Sequence, residues 1–148
     1  MLHNFGNGSD GAQPFSRFVE MGGMLYGTTG LGGANGIGTV YKMTLGGKEK
    51  VLYSFEGAAS GCTPFAGLVV MKSLLYGTTF GGSGSRCASN GTIFRIASDG
   101  TESTLHAFTG GSGGANPYGG LVVVGKKLYG TTQNGGLHNA GTVFSIAP

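Results

Sequence analysis

Tryptophan is absent, charged residues make up only 10% of the chain, and acidic side chains number six among 148 positions. So few carboxylates supply no Asp-rich calcium loop. Asp10 and Glu56 are the carboxylates nearest the loops that also hold Arg86, and they fall in different parts of the chain, a poor basis for acid–base catalysis. No apolar run reaches the roughly 18 residues of a membrane-spanning helix. Met1-Leu2-His3-Asn4-Phe5 lacks the basic and apolar regions of a secretory signal. The net charge of +3 is modest, and Lys48, Lys50, Lys72, Lys126 and Lys127 are dispersed over expected turns. A phosphate backbone requires a denser basic stripe, so nucleic acid is not an expected partner. His138 is the one histidine in an expected loop, too little for a metal site, and no cofactor is expected. Gly6-Asn7-Gly8-Ser9-Asp10-Gly11 has the spacing of a dinucleotide fingerprint but opens no helix, which removes its phosphate-binding end.

Glycine is what the chain has in excess, 33 residues, and it falls at fixed offsets of an internal repeat. Leu25-Tyr26-Gly27-Thr28-Thr29 recurs as Leu75 to Thr79 and as Leu128 to Thr132. Gly38-Thr39-Val40-Tyr41 recurs as Gly91 to Phe94 and Gly141 to Phe144, and Leu2-His3-Asn4-Phe5 as Leu52 to Phe55 and Leu105 to Phe108. Pro14-Phe15, Pro64-Phe65 and Pro117-Tyr118 are the fourth mark, each proline nine residues after the phenylalanine that ends the preceding motif. One stretch alone varies: Thr79 to Gly91 spans twelve residues where Thr29 to Gly38 and Thr132 to Gly141 span nine.

Each unit of about 50 residues contains four short β-branched or apolar runs bounded by glycine. In the second unit the expected strands are 66–71, 74–80, 92–97 and 102–108, with Ser98-Asp99-Gly100-Thr101 as a hairpin turn. No apolar period of about 3.6 residues is sustained, so helix is expected to be scarce. Four antiparallel strands per period is the pattern of propeller blades. The expected fold is therefore an all-β propeller arc of three blades in one domain, 1–148: an outer strand and loop at 1–13, then blades at 14–55, 64–108 and an incomplete one at 117–148.

These motifs resemble the Gloeobacter/Verrucomicrobia ("GloVer") tandem repeat over nearly the whole chain, and the strand order resembles quinoprotein-type propeller repeats. The resemblance implies a bacterial, exported protein and brings no catalytic residue with it. Its signal would lie outside the present sequence.

Leu2 to Phe5 reads as an outer strand with no blade before it, and Gly141 to Pro148 as a third strand with no fourth after it. An unpaired apolar edge invites pairing with another chain. Since natural propellers have about four to eight blades, the expected partner is the chain itself, by strand exchange joined head to tail in a homodimer of six blades, which is favoured, or a homotrimer of nine; an open filament or a fragment of a longer chain is the non-closing alternative.

Loops on a rigid scaffold carry binding groups. Strand alternation gathers the long loops on one face, rich in Asn7, Gln13, Asn35, Asn90, Asn116, Gln133, Asn134, His138 and Asn139. Neutral amides beside aromatic rings suit sugar hydroxyls, which need paired donors and acceptors. Phe15, Phe65 and Tyr118 begin the inner strands near the channel mouth and complete the expected ligand set with Asn35, Asn116, Gln133, Asn134 and His138, although rings at this position also serve to wedge blades apart. The expected function is non-catalytic binding of a polar ligand, a carbohydrate among the candidates, by a secreted or cell-surface protein. A self-assembling structural repeat and a propeller lyase or hydrolase are the alternatives. Cys62 and Cys87 fall in two loops of one unit on the same face, which predicts a local disulfide and suits an oxidising compartment.

Overall fold

The computed structural model describes every residue except Asn7, Ala58, Ser83, Gly84, Arg86 and Ala88, so two of the loop residues named above, Asn7 and Arg86, lie outside the described residues. Among the described residues there is no α-helix, and the strands form three antiparallel sheets in chain order. The first contains β1 (Val19–Met21), β2 (Met24–Thr29), β3 (Thr39–Thr44) and β4 (Glu49–Ser54). The second contains β5 (Val69–Met71), β6 (Leu74–Thr79), β7 (Thr92–Ile96) and β8 (Glu102–Ala107). The third stops at three strands, β9 (Val122–Val124), β10 (Lys127–Thr132) and β11 (Thr142–Ile146).

The register explains why two motifs travel together. Gly27, Gly77 and Gly130 in the second strands stand directly opposite Tyr41, Phe94 and Phe144 in the third. A Cβ on these glycines would come within 2.8, 2.6 and 2.5 Å of the facing ring. The ring lies over the bare backbone of the neighbouring strand and covers the surface that a side chain would otherwise fill. The threonines pair likewise: Thr29 with Thr39, Thr79 with Thr92 and Thr132 with Thr142 share hydroxyl hydrogen bonds of 2.8 Å. Thr39 and Thr92 also donate their backbone N–H to Thr29 Oγ1 and Thr79 Oγ1, so the hydroxyls satisfy backbone groups at the loop end of the sheet.

The sheets lean on one another through two apolar clusters. Val40, Phe55, Leu68, Leu75, Phe94 and Ile96 join the first sheet to the second. Met71, Tyr76, Ile93, Phe108, Leu121 and Leu128 join the second to the third. Aromatic edges reinforce each contact, Phe55 on Phe94 at 5.1 Å and Phe108 on Phe144 at 5.2 Å.

One expectation is corrected. The inner strand of the second unit begins at Val69, not Ala66. Gly67 lies close against the backbone of Arg17, so inner segments of adjacent units crowd one another before the ladder can start. Leu2 to Phe5, expected to serve as the outer strand of another copy's sheet, pairs with no strand of its own chain. The first sheet already has its outer strand in β4, and the segment instead rests on that sheet, with Phe5 edge-on to Tyr41 at 5.0 Å.

The expected hairpin turn is present, with Gly100 at φ 101° and Thr101 N–H donating to Asp99 Oδ1 at 2.8 Å, and Gly47 holds the corresponding turn of the first unit at φ 89°. The β1–β2 turn places Gly22 and Gly23 at positive φ, whereas the β5–β6 turn puts Lys72 and Ser73 there, at 52° and 61°. An L-residue in that conformation costs about 1 kcal/mol. Ser73→Gly, on an exposed turn, is therefore expected to stabilise the protein by up to about 1 kcal/mol, read as an upward shift of the urea midpoint.

Candidate ligand face

The two long loops of each unit are zipped together. Ala12 N–H donates to Leu31 O at 2.8 Å and Leu31 N–H returns the bond to Ala12 O at 3.1 Å. Ala115 and Asn134 repeat the exchange at 2.9 and 3.0 Å. Cys62 holds the corresponding position in the second unit, and here the lengthened loop brings Cys87 onto it: the predicted disulfide is present, with the Cα atoms 5.8 Å apart. Both half-cystines are buried, and Gly81 N–H still donates to Cys62 O.

Gln13, Thr63 and Asn116, each preceding the repeat proline, adopt positive φ of 59°, 53° and 57°. Residues before proline ordinarily stay extended, and this left-handed step is held by hydrogen bonds to their carbonyls from Gly30, Phe80 and Gln133 N–H, each at 3.0 Å. The turn projects the ring that follows the proline. Phe15, Phe65 and Tyr118 thus converge: Phe15 lies 5.9 Å from Phe65, and Phe65 lies 5.5 Å from Tyr118. Phe15 and Tyr118, at the two ends of the row, are 67% and 60% exposed, and Phe65 between them is half-buried. Phe80, not singled out from sequence, is the fourth ring, 5.8 Å from both Phe65 and Tyr118. It stands one residue beyond Thr78-Thr79, where the other repeats have Gly30 and Gln133, and that departure was the available signal. Gly30 provides the space for the row, since a Cβ there would meet the Phe65 ring at 2.8 Å.

The amides of the expected set divide. Asn116 Nδ2 donates to Phe80 O at 3.0 Å and so braces the row, while Gln133, exposed beside it, is joined to it through the backbone. Asn134 is half-buried and spends its backbone on Ala115. Asn35 is turned to the first sheet, its Nδ2 donating to Phe55 O at 3.0 Å. His138 stands exposed at the tip of the third unit's loop. Along the inner strands, Arg17, Phe18, Leu68, Val69 and Leu121 line an open cavity of about 440 Å³.

Among the described residues, no three His, Cys, Asp or Glu side chains converge as metal ligands would. His3 and His106 pack edge-on to Phe5 and Phe108, as Tyr53 packs on Phe55. His3 Nε2 also approaches Asp10 Oδ2 at 3.6 Å. The Asp10 carboxyl is held below its usual range, chiefly by the N–H of Gly6. The Tyr41 hydroxyl is pushed up to about 12 by burial and by nearby Glu49.

Glu102, at the start of β8, is raised by desolvation against the first sheet, where it meets Tyr53. A carboxyl whose folded pKa lies above its unfolded one favours the fold at low pH and loses that contribution as pH rises through the folded value. Glu102→Gln is therefore expected to raise the Tm at pH 7. The gain should vanish below about pH 3, where the wild-type carboxyl is protonated in both states.

Taken together, three like sheets from three like sequence units define an all-β tandem-repeat protein. The chain matches the Gloeobacter/Verrucomicrobia repeat family over residues 1–148, and belongs to it. The comparison with curated proteins finds no match. No helix among the described residues is long and apolar enough to cross a membrane.

Proposed function

We propose that the three sheets are blades of a propeller arc in an exported protein that binds a polar ligand, carbohydrate above all, on its long-loop face. The row Phe15–Phe65–Tyr118, exposed at both ends, carries the reading. Monomeric soluble proteins rarely leave adjoining aromatic rings in water, and such patches mark binding sites. Sugars present apolar C–H faces to rings and hydroxyls to neighbouring amides, which here are those of Gln13 and Gln133. The Cys62–Cys87 bond favours an oxidising compartment. A glycan array probed with the labelled chain tests the proposal. Binding is expected to survive at neutral pH and to fall at least about tenfold, roughly 1.4 kcal/mol, in Phe15→Ala and in Tyr118→Ala. Both rings are exposed, so these variants should keep the Tm of the parent. Silence across the array, or binding indifferent to both substitutions, would dispose of it.

A further inference from the structure

The repeat makes each position of one unit a control for the same position in the next, and that comparison isolates two surfaces. Val40 is 0% exposed and Ile93 1%, each covered by the following sheet, whereas Val143 at the same repeat position is 81% exposed. Val122, Val124 and Tyr129 are exposed with it, although Tyr26 and Tyr76, the equivalents of Tyr129, are buried. At the other end, Phe18 is exposed where Leu68 and Leu121 are buried. The third sheet thus ends in an uncovered trailing face and the first sheet begins with an uncovered leading face.

Hydrogen bonding shows the same complementarity. Phe55 N–H donates to Gly38 O at 3.0 Å and Phe108 N–H to Gly91 O at 2.9 Å. Thr63 N–H donates to Ile37 O at 2.8 Å and Asn116 N–H to Asn90 O at 2.7 Å. By position, the next members of these two series are Phe5 and Gln13 as donors, Gly141 and Ala140 as acceptors. Among the described residues none of these four groups has such a bond. β11 likewise lacks the outer strand that β4 gives β3 and β8 gives β7. Residues 2 to 5 already lie where an outer strand of a preceding sheet would be: Phe5 packs on Tyr41 as Phe55 packs on Phe94, and Leu2 sits on the Gly47 turn as Leu52 sits on the Gly100 turn.

We infer that the occupant of the trailing face is the leading face of a second copy of this chain, with residues 2 to 5 of that copy added to β11 as its outer strand. The register follows from the other units. Val40 faces Tyr53 and Ile93 faces His106, so Val143 faces His3 of the second copy, while Phe5 N–H of that copy reaches Gly141 O and its Gln13 N–H reaches Ala140 O. Because the preformed segment needs little reordering, the cost of association is reduced. The contact is head to tail, and a ring of two copies satisfies both faces of each chain with six sheets. The inference needs only the stacking of sheets and stands apart from the ligand.

Sedimentation equilibrium of the full chain is expected to give twice the monomer mass. Val143→Arg, a substitution at a position already in water, should shift the mass to that of the monomer with the Tm of the isolated fold retained. In a mixture of His3→Cys and Val143→Cys proteins under mild oxidation, a covalent species of twice the mass should form. Neither protein alone should cross-link, because the native cysteines are already bonded to each other. A monomer up to the solubility limit would overturn the proposal and leave these faces to further repeats of a longer chain. Self-linking of Val143→Cys would overturn it in favour of a symmetric edge-to-edge pair.

Discussion

Truncating Phe94 to alanine is expected to remove about 4 kcal/mol of stability, within the roughly 3–5 kcal/mol typical of a fully buried phenylalanine. Two losses combine at this one side chain. The ring is wholly buried and covers the backbone at Gly77, so its removal uncovers a strand that has no side chain of its own there. It also receives the edge of Phe55 at 5.1 Å, which ties the first sheet to the second. The same substitution at Phe144 should cost about half as much, since that ring is only half-buried in the isolated chain. Urea unfolding of the two variants measures the difference, and equal losses would contradict this account of the core.

Opening the Cys62–Cys87 bond is expected to lower stability by about 3 kcal/mol, the loop-closure entropy of a segment of this length. The two cysteines are 25 residues apart. The cleanest form of the experiment is the double variant Cys62→Ala with Cys87→Ala. Alanine already occupies the Cys62 position in the other two units, as Ala12 and Ala115, so packing at that site is preserved and the cross-link alone is removed. Denaturant midpoints of this variant and of the reduced parent should agree. If both matched the oxidised parent, the bond would contribute nothing to the fold.

The strands of the three units were legible because their determinants are local and repeated: a glycine and an aromatic residue at fixed spacing, a threonine pair, and an Asp-Gly turn. The three sheets in chain order, the three-stranded last sheet and the disulfide followed from the same register. What escaped was set by neighbours rather than by the repeat. Phe80 joins the aromatic row where its counterparts are Gly30 and Gln133, so periodicity concealed it. Asn35 and Asn116 looked like free ligand amides, yet each has an amide hydrogen on a backbone carbonyl, Phe55 O and Phe80 O, that only the folded loops bring near. The left-handed Gln13, Thr63 and Asn116 run against the ordinary preference of a residue before proline, and hydrogen bonds from the next loop overrule it.

Among the described residues, only the second sheet is flanked on both sides, by the clusters that join it to the first and to the third. Coupling that runs only between nearest neighbours makes unfolding resemble the fraying of a short stack. Deuterium should therefore enter β10 and β11 early and β6 and β7 last, so the isolated chain erodes inward toward its middle unit.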